Sequence, residues 1–360
     1  MIIVVEPTAQ KARFRAFGAK KDRAHEWEYS KELDRTRLTR QLTRILRELR
    51  GNEPLEAVAF RLRFGGSAFH KPVRLTGSFS AQYARSARHF PLYVPPVNNL
   101  IALFVRELKN TPLFAFFETS LFSALPRGER SYPIASEFYD DGAIMKWGYH
   151  GIFHGAHAGM FEKKDRVISI VMDNHTTVCA IKGRAPLTVS LGCTPLEGIM
   201  SARSCGDIDP GLIIYLMKEH GFSLYRIDEI LKNESGFIGM TGYHLPPADL
   251  IRFYGRNEKV TLAFEVYRNQ VLKHIGDGIA MMGGVDRIIF TGELVKPLNR
   301  IIYSILKDMS FLEMNLTEMP WDLSKTLVPL TSAASKRHAY ITTLDETDII
   351  RNATRHYLHK

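Results

Sequence analysis

The stretch SLGCTPLEGIMSARSCGDIDP, residues 190–210, decides how the rest of the chain is read. Its last two residues, Asp209 and Pro210, form a helix start. An Asp carboxylate accepts the unpaired N–H bonds of a first turn, and Pro suits the first helical position. Upstream, Gly192, Gly198 and Gly206 punctuate a polar loop that carries Glu197, Arg203, Asp207 and Asp209. A capped helix accounts for Asp209-Pro210 alone. It does not account for so many glycines and charges in one loop, and such loops are where binding and chemistry concentrate.

Outward from the loop, residues 210–220 and 224–234 read as helices. Residues 258–282 read as a longer one, with Leu262, Val266, Ile275 and Ile279 among its apolar positions. It leads through Gly283-Gly284 into a strand at 287–290. Before the loop, residues 167–172 and 177–181 predict a hairpin, with Asn174 as the left-handed turn residue. The first half alternates in the same way: strands at 2–5, 57–64 and 113–117, and an amphipathic helix at 35–50. That helix repeats Leu38, Leu42, Ile45, Leu46 and Leu49 at helical spacing. Strands mixed with crossover helices in two successive halves predict an α/β protein with a central cleft. The break is placed near residue 150, giving domains 1–150 and 151–341, with a tail from about Thr342 returning to the first.

At 360 residues and 45% hydrophobic content the chain can bury two ordinary cores. It has no apolar run of spanning length, which excludes a membrane helix. Three cysteines, an odd count without metal-ligand spacing, point to a reduced, cytoplasmic protein. The net charge of +10 is partly local, since six arginines mark the exposed face of the 35–50 helix. Without interleaved aromatics or a known module, that face argues against nucleic-acid binding and for a solvated surface. His150 and His154 stand four apart, a metal-pair spacing, but Gly148, Gly151 and Gly155 around them predict a loop, and no third ligand is apparent.

Several words of the sequence, in order, resemble the acetate kinase family. TPLEGIM (194–200) and GDIDP (206–210) are close to its central signature, as are GFSLYRIDEILKNESGFIGMTG (221–242) and MGGVDRIIFTG (282–292). WGYHGIFH (147–154) is similar to its GFHGTSH, AFRLRFGG (59–66) to its HRVVHGG, and FFETSLF (116–122) to its FDTAFH. The resemblance implies two similar ribonuclease H-like domains of the actin, sugar kinase and Hsp70-like type around a cleft, usually as a homodimer. It implies ATP or ADP with Mg²⁺, and phosphoryl transfer to a small carboxylate such as acetate. Residue by residue, it implies catalytic roles for Arg61, His150 and Arg203, and for Glu118 a place near the metal. Tyr149 and Pro195 would wall the acyl pocket, with Arg63 where a pocket valine is expected. Asn174, Asp249 and Gly292 would lie on the nucleotide side.

Departures from the pattern are concentrated on the phosphate. Glu6 replaces an Asn, and the glycine and serines of an NAGSSS-type loop are gone from residues 6–10. The HLGNG-type loop reads VMDNH (171–175), without glycines that allow close backbone approach. Counted without gaps, Arg203 falls one residue early, with Ser204 in its place. Residues 329–333, PLTSA, are expected at the family's PTNEE-like metal glutamate and offer no carboxylate. Two readings stay open: an ATP-dependent carboxylate phosphotransferase, or a catalytically degenerate member that binds or regulates.

Overall fold

The computed structural model describes residues 1–19, 21–29, 35–87, 95–138 and 144–359. Twelve strands among them form two six-stranded sheets. The first holds β1 (Ile2–Pro7), β2 (Lys11–Phe17), β3 (Arg23–Glu28), β4 (Ala57–Leu62), β5 (Val73–Arg74) and β6 (Leu113–Phe117), in the order β3-β2-β1-β4-β6-β5. The second holds β7 (Arg166–Val171), β8 (Thr177–Lys182), β9 (Ala185–Val189), β10 (Arg287–Thr291), β11 (Leu327–Pro329) and β12 (His338–Thr342), in the order β9-β8-β7-β10-β12-β11. Strand for strand the two orders are the same. Directions match as well: an antiparallel meander of three strands, then two parallel additions, then an antiparallel edge. The two similar α/β halves implied by the resemblance are therefore present.

Alternation along the strands explains why each sheet is covered on both sides. In β1, Ile3 and Val5 face a core completed by Leu42, Ile45, Leu46 and Leu49 of helix Arg35–Arg50 and by Leu100, Ile101 and Phe104 of helix Pro95–Glu107. Ile2 and Val4 face the other way. With Ala57, Ala59, Phe114 and Phe116 they pack on Ile350, Ala353 and Leu358 of the last helix, Glu346–Leu358. In the second sheet, Ile168, Ile170, Ile288 and Phe290 bury against helices Glu258–Met282 and Asn299–Asp308.

One short helix, Gly151–Gly159, touches both halves: Ile152 joins the underside of the first sheet and Ala158 the underside of the second. The loop expected from its glycines is thus a helix from Gly151 onward. The glycines serve packing instead: a Cβ on Gly151 would lie 2.3 Å from the Glu118 carbonyl oxygen, and one on Gly148 would lie 2.4 Å from the Phe122 ring. The hairpin between β7 and β8 forms as expected, in register Val171↔Thr177. Its turn differs, because Asn174 is not among the residues with positive φ. Among the described residues, no helix is long and apolar enough to cross a membrane, and all three cysteines are free.

Candidate active site

The carboxyl-terminal ends of the central strands of both sheets face a cleft of about 1000 Å³. Of the residues singled out in the sequence, Arg61, Arg63, Tyr149, His150, Asn174, Pro195 and Gly292 line it. Four others stand apart. Glu118 lies behind the wall, fully buried, and reaches the site through Arg61. Arg203 is exposed and directs its Nε to the Asn233 carbonyl oxygen, 3.4 Å away. Ser204, at the position expected for that arginine, is buried and bonds the Ser201 hydroxyl. Neither lines the cleft. Asp249 is exposed on a short helix, also away from the cleft.

Arg61 organises the floor. β4 delivers it beside β1 and β6, so its guanidinium meets Glu6 at 2.8 Å, Glu118 at 2.5 Å and Glu346 at 2.6 Å. Burial alone would lower the Arg61 pKa, but Glu118, Glu346, Tyr149 and Glu6 hold it well above the ordinary arginine value. Glu346 shows the reverse. Burial first, then the neighbouring Glu118, pushes its carboxyl well above the usual range. Each of these two carboxyls leaves one buried oxygen, Glu118 Oε2 and Glu346 Oε1, without a hydrogen-bond partner.

Glu346, and not the 329–333 segment, brings a carboxyl to the cleft at this end of the chain. PLTSA (329–333) starts at the end of edge strand β11 and does not line the cleft. Near the end of the chain the cleft takes Asp345 and Glu346 from residues 342–346, between β12 and the last helix, where Asp345 caps the helix by accepting from Thr347 N at 2.8 Å. An acidic pair just after a strand was the available signal.

His150 stands above the floor with φ of 59°, a left-handed conformation that costs energy outside glycine and asparagine. It immediately precedes helix Gly151–Gly159, whose first N–H donates to the Glu118 carbonyl at 2.9 Å. Its Nδ1 bonds the Thr177 hydroxyl at 3.0 Å. Burial, reinforced by the Arg61 charge, drives its pKa well below the usual histidine range, so it is neutral. Tyr149 packs against it with ring centroids 4.3 Å apart. His154, read as half of an unfulfilled metal pair, bonds the same Thr177 hydroxyl at 2.9 Å.

Charge is unevenly matched. Arg61 is compensated by three carboxyls, whereas Arg63 and Lys296 line the cleft with no carboxylate within ion-pair distance among the described residues. Arg63 also borders a side pocket of about 290 Å³ formed by Leu62, Val97 and the turn between β1 and β2. Opposite, Asp173 accepts from the Glu293 backbone N–H at 3.0 Å, and burial raises its pKa to about 6. Gly292, with φ of 108°, lets the chain pass under Met172, where a Cβ would lie 2.4 Å from a carbonyl oxygen.

The donor set fits Mg²⁺. Among the described residues no three His, Cys, Asp or Glu side chains converge into a protein-only cage. Mg²⁺ does not require one, because it keeps waters and is held by one or two carboxylates plus substrate phosphates. The unpartnered oxygens of Glu118 and Glu346 are such a pair. A cleft of this volume is also large enough for a nucleotide.

Comparison with known proteins agrees with this geometry. The Acetokinase family profile matches residues 5–351. The chain is 32% identical to acetate kinase 2 of Aliivibrio fischeri, covering 76% of this chain and 71% of that one. It is 30% identical to a propionate kinase of Citrobacter rodentium, covering 85% and 78%. Its fold superposes on the crystal structure of Porphyromonas gingivalis acetate kinase with a TM-score of 0.85, at 22% identity, over 100% of this chain and 99% of that one.

Proposed function

The chain belongs to the acetokinase family, and on that premise we propose that it transfers a phosphoryl group between ATP and a short-chain carboxylate such as acetate. A carboxylate oxygen attacks the γ-phosphorus while the bond to the ADP oxygen breaks, giving an acyl phosphate and ADP. The observation that carries this reading is that Arg61, His150 and Glu346 line one cleft, with Glu118 directly behind them on Arg61.

Such a transfer is catalysed mainly by positioning and by positive charge around the moving phosphoryl group. Glu118 and Glu346 would hold Mg²⁺, which when bound neutralises phosphate charge. Arg61, tied down by its carboxyls, is a rigid donor. Arg63 supplies the mobile, uncompensated cation for the carboxylate or the phosphoryl oxygens, a role Arg203 does not reach from its exposed position. Neutral His150 donates a hydrogen bond to a phosphoryl oxygen. Tyr149 and Pro195 bound the acyl end, and the Asn174 and Gly292 side takes the nucleotide.

Hydroxylamine trapping of acyl phosphate from MgATP with acetate, propionate and longer acids tests the reading and ranks the acceptors. Absence of both product and any calorimetric heat with millimolar MgATP or MgADP would sink it. The second reading, a binding or regulatory member without turnover, is favoured by Glu6 in the first phosphate turn and by the outward Arg203. It predicts nucleotide or carboxylate binding without product.

The homodimer usual for the family is part of the same proposal. Helix Pro210–Glu219 has no buried residue and exposes Leu212, Ile214, Tyr215 and Met217, beside Leu224 and Tyr225, which are 72% and 76% exposed. An apolar face of that kind marks an interaction surface. Light scattering should give twice the chain mass, and Ile214→Glu should give the monomer.

A further inference from the structure

Behind His150 runs an unbroken line of five buried side chains. His150 Nδ1 meets Thr177 Oγ1 at 3.0 Å, and that oxygen meets His154 Nε2 at 2.9 Å. His154 Nδ1 meets Ser169 Oγ at 2.6 Å, and that oxygen meets His157 Nδ1 at 2.7 Å. The line ends at His157 Nε2, which is buried without a partner. Sequence spacing builds it. Histidines at i, i+4 and i+7 share one helical face. Ser169 and Thr177 project from the same face of the β7–β8 ladder, because Thr177 lies opposite Val171, two residues beyond Ser169.

Proton counting restricts what this line can be. A hydroxyl has one hydrogen and two lone pairs, and among the described residues Ser169 and Thr177 bond only within this line, so each pairs its hydrogen only by donating one of its two bonds and accepting the other. A neutral imidazole likewise has one N–H and one acceptor nitrogen. All three rings are neutral at pH 7: burial lowers each, joined by Arg61 at His150 and by His157 at His154, and His157 falls to about 3. Only two arrangements then satisfy all four bonds and leave neither hydroxyl hydrogen unpaired. In one, His157 Nδ1–H donates to Ser169, Ser169 to His154 Nδ1, His154 Nε2–H to Thr177, and Thr177 to His150 Nδ1. The His150 proton is then on Nε2, the nitrogen not engaged by Thr177. In the other every bond reverses, His150 Nε2 is a bare lone pair, and His157 buries an unpaired N–H.

We propose that the five groups are fixed as a unit in the first arrangement, so that Ser169 and His157 act as positioning residues that hold His150 in the Nε2–H tautomer. Two features select it. Orphaned buried N–H groups are rarer than unpaired acceptors, which favours the bare nitrogen at the His157 end. An anion in the cleft favours the N–H at the His150 end. Only the purpose of this arrangement rests on the proposed hydrogen bond from His150 to the phosphoryl group; the tautomers themselves do not.

The experiment is long-range ¹H–¹⁵N correlation on full-length protein labelled in histidine, with assignments from single His substitutions. Protons on Nε2 of His150 and His154 but on Nδ1 of His157 are expected. Ser169→Ala should leave His150 a mixture of tautomers, Ser169→Thr should restore it, and where turnover is measurable Ser169→Ala should lower kcat by roughly 10- to 100-fold with KM little changed. A His157 proton on Nε2, averaged signals in the parent protein, or an unaltered His150 in Ser169→Ala would each overturn the proposal. Should Ser169→Ala not fold, His157→Leu cuts the same end and is read the same way. Absence of any kinase turnover would defeat the proposed function while leaving the tautomer result decisive for this one.

Discussion

The two sheets share one strand order and present opposite chemistry to the cleft between them. At the end of the first, β1 supplies Glu6, β4 supplies Arg61 and then Arg63, and β6 runs into Glu118. Corresponding register positions in the second sheet are Val171 on β7 and Thr291 on β10, followed by Gly292. One rim is a cluster of paired charges; the other brings close backbone at Thr291 and Gly292, with Asp173 and Lys296 in the loops beyond. The repeat therefore lies in the path of the backbone and in the alternation of apolar residues.

Breaking the charged rim should have the largest effect. Arg61→Ala leaves Glu6, Glu118 and Glu346 without their shared cation. Loss of at least ~10³-fold in acyl phosphate formation is expected, together with about 3–5 kcal/mol of stability. A urea titration beside the activity assay measures both, and near-parental activity would show that the cluster is structural only. Breaking the backbone rim should cost less. Gly292→Ala introduces a Cβ at φ of 108° against the Met172 carbonyl, and about 1–3 kcal/mol of destabilisation is expected, with weaker nucleotide binding by calorimetry.

Two aspartates sharpen the contrast through pH. The folded pKa of Asp173 is raised to about 6, so its ionisation penalises the fold. That penalty is absent below about pH 4 and complete above about pH 6. Asp173→Asn should accordingly stabilise by up to about 2–3 kcal/mol at pH 8 and by little at pH 4, read as urea midpoints. Asp286, near the opposite end of the same sheet, is bound by Arg166 at 2.8 Å and lowered to about 2, by that hydrogen bond foremost. Its contribution is present above about pH 4 and fades as the pH falls through about 2. Asp286→Asn should cost about 1 kcal/mol at pH 7 after allowance for solvent screening, with the difference vanishing near pH 2.

Much of the scaffold was legible because periodicity encodes it. Helices Arg35–Arg50 and Glu258–Met282 and strand Leu113–Phe117 have the bounds their apolar spacing predicts. The doubled strand order was not legible, since any β-branched or aromatic residue satisfies an inward position, and the halves need share no identity. Helix Gly151–Gly159 was hidden because its glycines are demanded by contacts with Glu118 and other distant groups, which local sequence does not report. For the site, the resemblance brought seven of its residues into one cleft, but Glu346 was missed. Its role depends on β12 lying beside β10, a pairing with no signature in the residues themselves.

Because the last helix covers the first sheet, the molecule is completed in an order set by synthesis. Phe114 and Phe116 leave the ribosome more than two hundred residues before Ile350 and Ala353, which cover them. At ~5–20 residues per second that interval is on the order of ten to fifty seconds. Throughout it the underside of the first sheet lacks its final cover, and the cleft lacks the carboxyl of Glu346. A chain stopped at residue 345 would thus lack the Glu346 carboxyl in the cleft and the cover of the first sheet together.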